Sequence, residues 1–160
     1  KNISENSLQG DLKQIKILEK MGCAVKIEPN QIGVCGNNLI GINIDMSDTP
    51  DAVPAIAVVA SFAKGKTKIT NIKHLREKEC DRIDAVSSQL IKMGIKVDQG
   101  EDFLEITGGK PNSAQIETFN DHRIAMAFSI PGLKIPGMEI ENETCVEKSF
   151  PNYWDIFESL

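Results

Sequence analysis

Three stretches of the chain carry apolar residues at the three-and-four spacing of a helix buried along one face. Leu12, Ile15, Leu18 and Met21 predict a helix over residues 11–21, and Gly22 follows where a left-handed glycine would end it. Ile83, Val86, Leu90 and Met93 predict a second helix over 81–93, again followed by a glycine, Gly94. Tyr153, Ile156, Phe157 and Leu160 share one face of a short closing helix. Two more stretches, 51–62 and 121–130, are apolar nearly all round, as helices enclosed by a core are. Pro54 fits only in a first turn, so the former helix starts near Asp51.

Between the helices the apolar period falls to two. Residues 23–27, the positions Ile40, Ile42 and Ile44, and residues 66–72 alternate as half-buried strands do. Residues 95–98 and 103–107 read as a hairpin, and 114–118 and 138–140 as short strands. Helices and strands do not alternate strictly, and short turns join several strands. The expectation is an α+β fold with mixed rather than purely parallel sheets.

The pattern occurs twice, about 70 residues apart. Lys20-Met21-Gly22 matches Lys92-Met93-Gly94, Asp51 and its apolar helix match Asp121 and its helix, and Lys78 matches Lys148. The offset exceeds solenoid periods, so duplication of a small α+β unit fits better, with units 1–74 and 75–148 and a closing helix over 151–160. Pseudo-symmetric packing would bring the helix starts at Asp51 and Asp121 to one region, and helix starts favour anions.

Composition narrows the class. With 41% hydrophobic and 26% charged residues the chain is an ordinary globular one. A net charge of -5 argues against non-specific nucleic-acid binding. No apolar run reaches the roughly 18 residues of a membrane span. Four widely spaced cysteines and two histidines make neither a disulfide framework nor a zinc cluster, so reduced thiols in the cytoplasm are expected. Lys1-Asn2 at the start, without a Met, suggests a piece of a longer chain.

The chemistry concentrates at helix starts. Arg76, Lys78 and Arg82 lie at the entry to the 81–93 helix, Arg123 in the first turn of the 121–130 helix, and Lys148 just before the last. Cations there oppose the helix dipole. A bound phosphate or carboxylate would explain them; so would a solvated turn with local ion pairs to Glu77, Glu79 and Asp81.

Leu75-Arg76-Glu77-Lys78-Glu79-Cys80-Asp81-Arg82 resembles the L-R-x-K-E-S/T-D-R segment of the 5-enolpyruvylshikimate-3-phosphate synthase family. Asp121-His122-Arg123-Ile124-Ala125-Met126 resembles its D-H-R-x-A-M segment, Lys148-Ser149-Phe150-Pro151 its K-S/T-F/Y-P segment, and Pro50-Asp51-Ala52 its P-D-A segment. The four occur in the family's order and cover essentially the whole chain. Cys80 departs from the usual Ser or Thr, and His74 stands where some members carry a ligand-touching Asn.

The resemblance implies an enolpyruvyl transferase-like α/β prism, built of repeated βαβαββ-type units with mixed sheets around apolar helices. It implies carboxyvinyl transfer from phosphoenolpyruvate to the 5-hydroxyl of shikimate 3-phosphate, with release of phosphate and no metal or organic cofactor. Asp51 would be proton acceptor and, with Lys78, bind shikimate 3-phosphate. Glu79 would be proton donor, and Arg82, Arg123 and Lys148 would hold phosphoenolpyruvate. His122 and His74 would stand beside these groups. The residue-by-residue alternatives are an N-cap for Asp51, an ion pair with Arg82 for Glu79, and surface charge for the cations. The family has a second, amino-terminal domain that supplies half the site, so the missing domain of the same polypeptide is the expected partner and this piece alone is expected to be inactive. The rival readings are a carboxyvinyltransferase acting on a UDP-sugar and a non-catalytic anion-binding module.

Overall fold

In the computed structural model, which describes residues 12–160, both Lys-Met-Gly sequences end a helix in the same way. Helix α1 spans Lys13–Lys20 and α3 spans Arg82–Lys92. Gly22 and Gly94 follow with φ of 99° and 80°, a backbone region that costs glycine nothing. Each helix closes with the paired bonds of a Schellman motif: Gly22 N–H to Glu19 and Cys23 N–H to Leu18, then Gly94 N–H to Ile91 and Ile95 N–H to Leu90. Asp11, at the start of the first expected helix, lies outside the described residues. On α1 the deeply buried residues are Ile17 and Met21, with Ile15 only half-buried, so the inward face is rotated from the expected one.

Each helix feeds an antiparallel hairpin. In the first, β1 (Ala24–Glu28) pairs with β2 (Gln31–Cys35); the latter strand was not assigned from the sequence. In the second, β5 (Lys96–Gln99) pairs with β6 (Leu104–Thr107). The registers are the same 72 positions on: Ala24 faces Cys35 as Lys96 faces Thr107, and Val25 faces Val34 as Val97 faces Ile106.

Then come two parallel strand pairs, each joined across an apolar helix. β3 (Asn43–Asp45) and β4 (Lys66–Thr70) flank α2 (Val53–Ser61). β7 (Gln115–Ile116) and β8 (Glu139–Ile140) flank α4 (His122–Ser129). Asn71 and Asn142, in the left-handed conformation, end the two units alike. Sequence reading extends 66–72 too far, because Asn71 turns the chain.

The units interlock. The second unit's hairpin adds to the first unit's strand pair, giving one mixed sheet of order β3-β4-β6-β5. The other hairpin, β1-β2, and the other pair, β7-β8, each stand as two-stranded sheets. Helix α2 lies at the centre, with seven of its nine residues buried and packed on α4, α3 and the sheet. Asp51 precedes it in a 3-10 turn (Pro50–Ala52), so this helix starts later than the sequence suggests. Helix α5 (Tyr153–Glu158) closes the chain. Its expected apolar face is largely uncovered: Ile156 is 44% and Leu160 81% exposed. Tyr153 ties it down through Ser129 Oγ at 2.6 Å and the Met126 carbonyl at 3.2 Å, and Trp154 Nε1 donates to the Glu143 carbonyl at 3.0 Å. No helix among the described residues is long and apolar enough to cross a membrane.

Candidate active site

The starts of α2, α3 and α4 meet at one point, and Arg82 occupies it. Its side chain is 1% exposed. Nε donates to Asp121 Oδ2 at 2.7 Å, Nη1 to Asp51 Oδ1 at 2.9 Å and Nη2 to Glu79 Oε2 at 2.8 Å. Burial works against the guanidinium's charge, but the bond and charge of Asp121, with Glu79 and Asp51, outweigh it and hold the pKa above its ordinary value. Asp121 is fully buried and also caps α4, accepting the Arg123 backbone N–H at 2.8 Å. Burial would raise its pKa; the Arg82 bond and the Arg123 N–H reverse this and hold it low.

Arg123 approaches from the opposite side. Its Nη2 lies 3.0 Å from Asp51 Oδ2, and its Nη1 donates to the Asp51 carbonyl. Asp51 is therefore gripped by two arginines. Its carboxylate caps no helix, which removes the N-cap alternative. Glu79 sits at the rim, 35% exposed, and the ion pair with Arg82 is present. His122 is buried and its Nδ1 lacks a hydrogen-bond partner, standing 4.0 Å from Glu79 Oε1 and 3.9 Å from Asp121 Oδ1. Burial pushes its pKa below the ordinary value, though both carboxylates pull the other way; the imidazole is neutral at pH 7.

Lys78 and Lys148 are exposed. Neither forms an ion pair among the described residues. Each follows a 3-10 turn, Lys73–Glu77 or Glu143–Val146, at matching places in the two units. His74 is exposed on the first of these turns, with no hydrogen bond to the carboxylate cluster. Arg76 is committed to structure: it bonds Asp81, Asp84 and the carbonyls of Gly100 and Glu101.

These contacts revise one expectation. Carboxylates of the chain itself pair Arg76, Arg82 and Arg123, among them Asp51, Asp84 and Asp121 beside the locally expected Glu79 and Asp81, while Lys78 and Lys148 form no ion pair among the described residues. The sequence reading missed Asp121 as the anchor of Arg82. An aspartate at an N-cap before an apolar run reads as a cap, and nothing local reveals its second partner 39 residues away.

Cys80 packs on the cluster, with Sγ 3.7 Å from Asp121 Oδ2. Burial, then the Asp121 charge, pushes its thiol up to about 12. Beside the cluster lies a hollow of about 250 Å³, lined by Asp51, Arg123, Pro54, Met126 and Tyr153. A larger one, about 840 Å³, lies at the far end of α2 near Phe62 and Lys64 and contains none of these residues. The cluster is thus an open, charged rim and not an enclosed pocket.

Residues 1–157 match the family model of EPSP synthase (3-phosphoshikimate 1-carboxyvinyltransferase). The chain is 45% identical to the 3-phosphoshikimate 1-carboxyvinyltransferase of Syntrophobacter fumaroxidans, over 99% of this chain and 38% of that protein. It is 44% identical to the enzyme of the same name from Methanocaldococcus jannaschii, over 99% of this chain and 38% of that one. Among solved structures, EPSP synthase from Acinetobacter baumannii superposes with a TM-score of 0.82 at 32% identity, over 91% of this chain and 38% of that chain. The enolpyruvyl transferase NikO from Streptomyces tendae, at 19% identity and a TM-score of 0.73 over 91% of this chain and 34% of that one, shares the fold. The chain spans somewhat over a third of the length of the relatives it matches.

Proposed function

The chain belongs to the EPSP synthase family, and from that premise we propose that the whole protein transfers the enolpyruvyl group of phosphoenolpyruvate to the 5-hydroxyl of shikimate 3-phosphate, releasing phosphate. This chain would furnish one side of the cleft, as two units of a carboxy-terminal domain, and a further domain of the same polypeptide the other. The reading carries no metal or organic cofactor and places the protein in the cytoplasm, which suits four free cysteines.

One observation carries it: Asp51, Glu79, Arg82 and Arg123, from three separate motifs, converge in one rim with Lys78 and Lys148 nearby and unpaired among the described residues. Joining an alcohol to an enol phosphate needs a base for the hydroxyl, an acid for the methylene carbon, and cations for phosphate and carboxylate. Asp51 is the acceptor in this reading and, with Lys78, faces shikimate 3-phosphate. Glu79 is the donor to the methylene carbon. Arg82, Arg123 and Lys148 hold phosphoenolpyruvate, with His122 behind Glu79 as a neutral neighbour and His74 at the margin. Because Arg82 is held by three carboxylates, an arriving anion must compete with Asp51 or Glu79 for it, and that exchange would free the carboxylates to act.

The test is phosphate release by the full-length protein. Asp51→Asn and Glu79→Gln are expected to lower kcat by at least about 100-fold, the scale of general acid–base catalysis. Arg123→Ala should chiefly raise KM for phosphoenolpyruvate. Unchanged turnover in both carboxylate variants, or equal turnover with a UDP-sugar acceptor, would overturn the assignment. The isolated chain is expected to show no turnover, because positioning by the absent half supplies much of the rate.

A further inference from the structure

The segment that carries Lys78 and Glu79 has little backbone support of its own. It runs from the 3-10 turn Lys73–Glu77 to Asp81, the cap of α3. Among the described residues, Lys78, Glu79 and Cys80 form no backbone–backbone hydrogen bond. Leu75 on one side and Arg82 on the other are buried, but Lys78 is exposed and the Glu79 carboxyl stands at the rim. Without a further anchor, such a stretch samples many conformations.

Arg76 is that anchor. Its Nη1 donates to Asp81 Oδ2 at 2.6 Å and to Asp84 Oδ1 at 3.2 Å. Its Nη2 and Nε donate to the carbonyls of Gly100 and Glu101 at 2.7 and 3.1 Å. The Asp81 bond closes a side-chain bridge over residues 77–80. The two carbonyl bonds fasten that bridge to the turn of the β5-β6 hairpin. The turn is itself fixed: Gly100 N–H donates to the Phe103 carbonyl, Ile72 N–H donates to the Asp102 carbonyl, and Lys73 pairs with Glu101. Asp81 divides its two oxygens. Oδ2 takes Arg76, while Oδ1 takes the Ile83 and Asp84 N–H groups that start α3. Four acceptors around one planar fork suit arginine; the point charge of a lysine satisfies only some of them.

We infer that Arg76 is a positioning residue: acting through Asp81, it holds the 77–80 segment so that the Glu79 carboxyl and the Lys78 ammonium meet the reacting groups. The inference rests on the carboxyvinyl transfer proposed above. Arg76 pairs with Asp81 and Asp84 and forms no ion pair with Glu79, so its effect on the reaction is indirect.

The full-length protein tests this in two arms. In steady-state phosphate release, Arg76→Gln should lower kcat by about 10- to 100-fold, the scale of displacing a reacting group by about 1 Å. KM for phosphoenolpyruvate should change little, because Arg82 and Arg123 are held by Asp51 and Asp121. Arg76→Lys should recover part of the loss. Asp81→Asn keeps the cap of α3 and should lower kcat in the same way. Arg76→Gln combined with Asp81→Asn should be no slower than the slower single variant, as residues acting as one unit are. In hydrogen exchange without substrate, the peptide containing residues 77–81 should exchange faster in Arg76→Gln, while peptides from α2 and α4 stay as in the wild type. Wild-type turnover with an unchanged kcat in Arg76→Gln overturns the positioning role. Unchanged exchange of the 77–81 peptide, or additive effects of the two substitutions, overturns it too. So does a kcat that falls only in step with a lower urea midpoint and is not improved by Arg76→Lys. A wild-type protein without turnover overturns the carboxyvinyl transfer instead, and the exchange arm then still accepts or rejects Arg76 as the anchor of the segment.

Discussion

Asp121→Asn isolates the charge at the centre of the cluster. Asparagine keeps the size and remains a good N-cap, so the bond to the Arg123 N–H survives. What is lost is the anionic partner of a guanidinium 1% exposed, at 2.7 Å from Nε. Orphaning a buried charge costs about 3–5 kcal/mol. Arg82 would retain Asp51 and Glu79, but both are on the rim and more than a third exposed, so solvent weakens their compensation. The expected loss is therefore about 3 kcal/mol, at the low end of that range. With a urea m-value of about 2 kcal/mol/M, the midpoint falls by about 1.5 M. Asp121→Ala loses the cap as well and should cost about 1 kcal/mol more. Adding Arg82→Met to Asp121→Asn should recover part of the loss, since no charge is then left buried without its partner. The readout is urea unfolding followed by far-ultraviolet circular dichroism. A midpoint shift below about 0.3 M for Asp121→Asn, well under the expected value, would refute the idea that this buried pair holds the three helix starts together.

Three further outcomes follow from the same coordinates. Gly94→Ala forces a φ of 80° on a residue with a Cβ and brings that atom 2.8 Å from Asn112 Nδ2, so thermal unfolding should show a loss of about 1–2 kcal/mol. His122 and Asp121 both have folded pKa values below their unfolded ones, so each contributes stability at higher pH. Stability should decline as pH falls below about 6.5 and again through the acid range below 3.8, and His122→Gln should remove the first step in a pH series of urea midpoints. Cys80, with its thiol pushed up to about 12, should resist iodoacetamide at pH 8 while exposed Cys35 reacts, as peptide mass spectrometry would report.

Local signals carried the helices well. The four apolar residues that predict α3 are all fully buried, and both glycines after Lys-Met take the expected conformation. Helix α1 was placed correctly but rotated, because its neighbours are set by tertiary packing and not by its own period. Strands of two residues are located but read too long: 114–118 is expected as a strand and β7 covers only Gln115–Ile116. The exchange of hairpins between units, seen in the sheet order β3-β4-β6-β5, has no local signal. No single segment encodes it: β6 could satisfy its bonds against any equivalent edge, and which edge it meets depends on how α2 and α3 pack.

The site shows the same division. Motif spacing located every helix start at which a charged group stands, but a sequence gives a side chain's address and not its direction. Arg82 is expected to hold a ligand, and the structure adds three carboxylates of the chain that already engage it. The dipole argument correctly found that a cation at a helix start needs an anion, and left its source open. Asp51, Glu79 and Asp121 lie 31, 3 and 39 residues from Arg82, and only the second of these is visible locally. On the proposed reading, the carboxylates around Arg82 have a consequence for catalysis. Asp51, Glu79 and Asp121 outnumber Arg82 and Arg123 in this cluster, so on the proposed reading an anion would displace one of these carboxylates instead of meeting a bare positive site. Discrimination between anions would then depend on which one competes best with Asp51 and Glu79, with Lys78 and Lys148, which form no ion pair among the described residues, as cations to attract them.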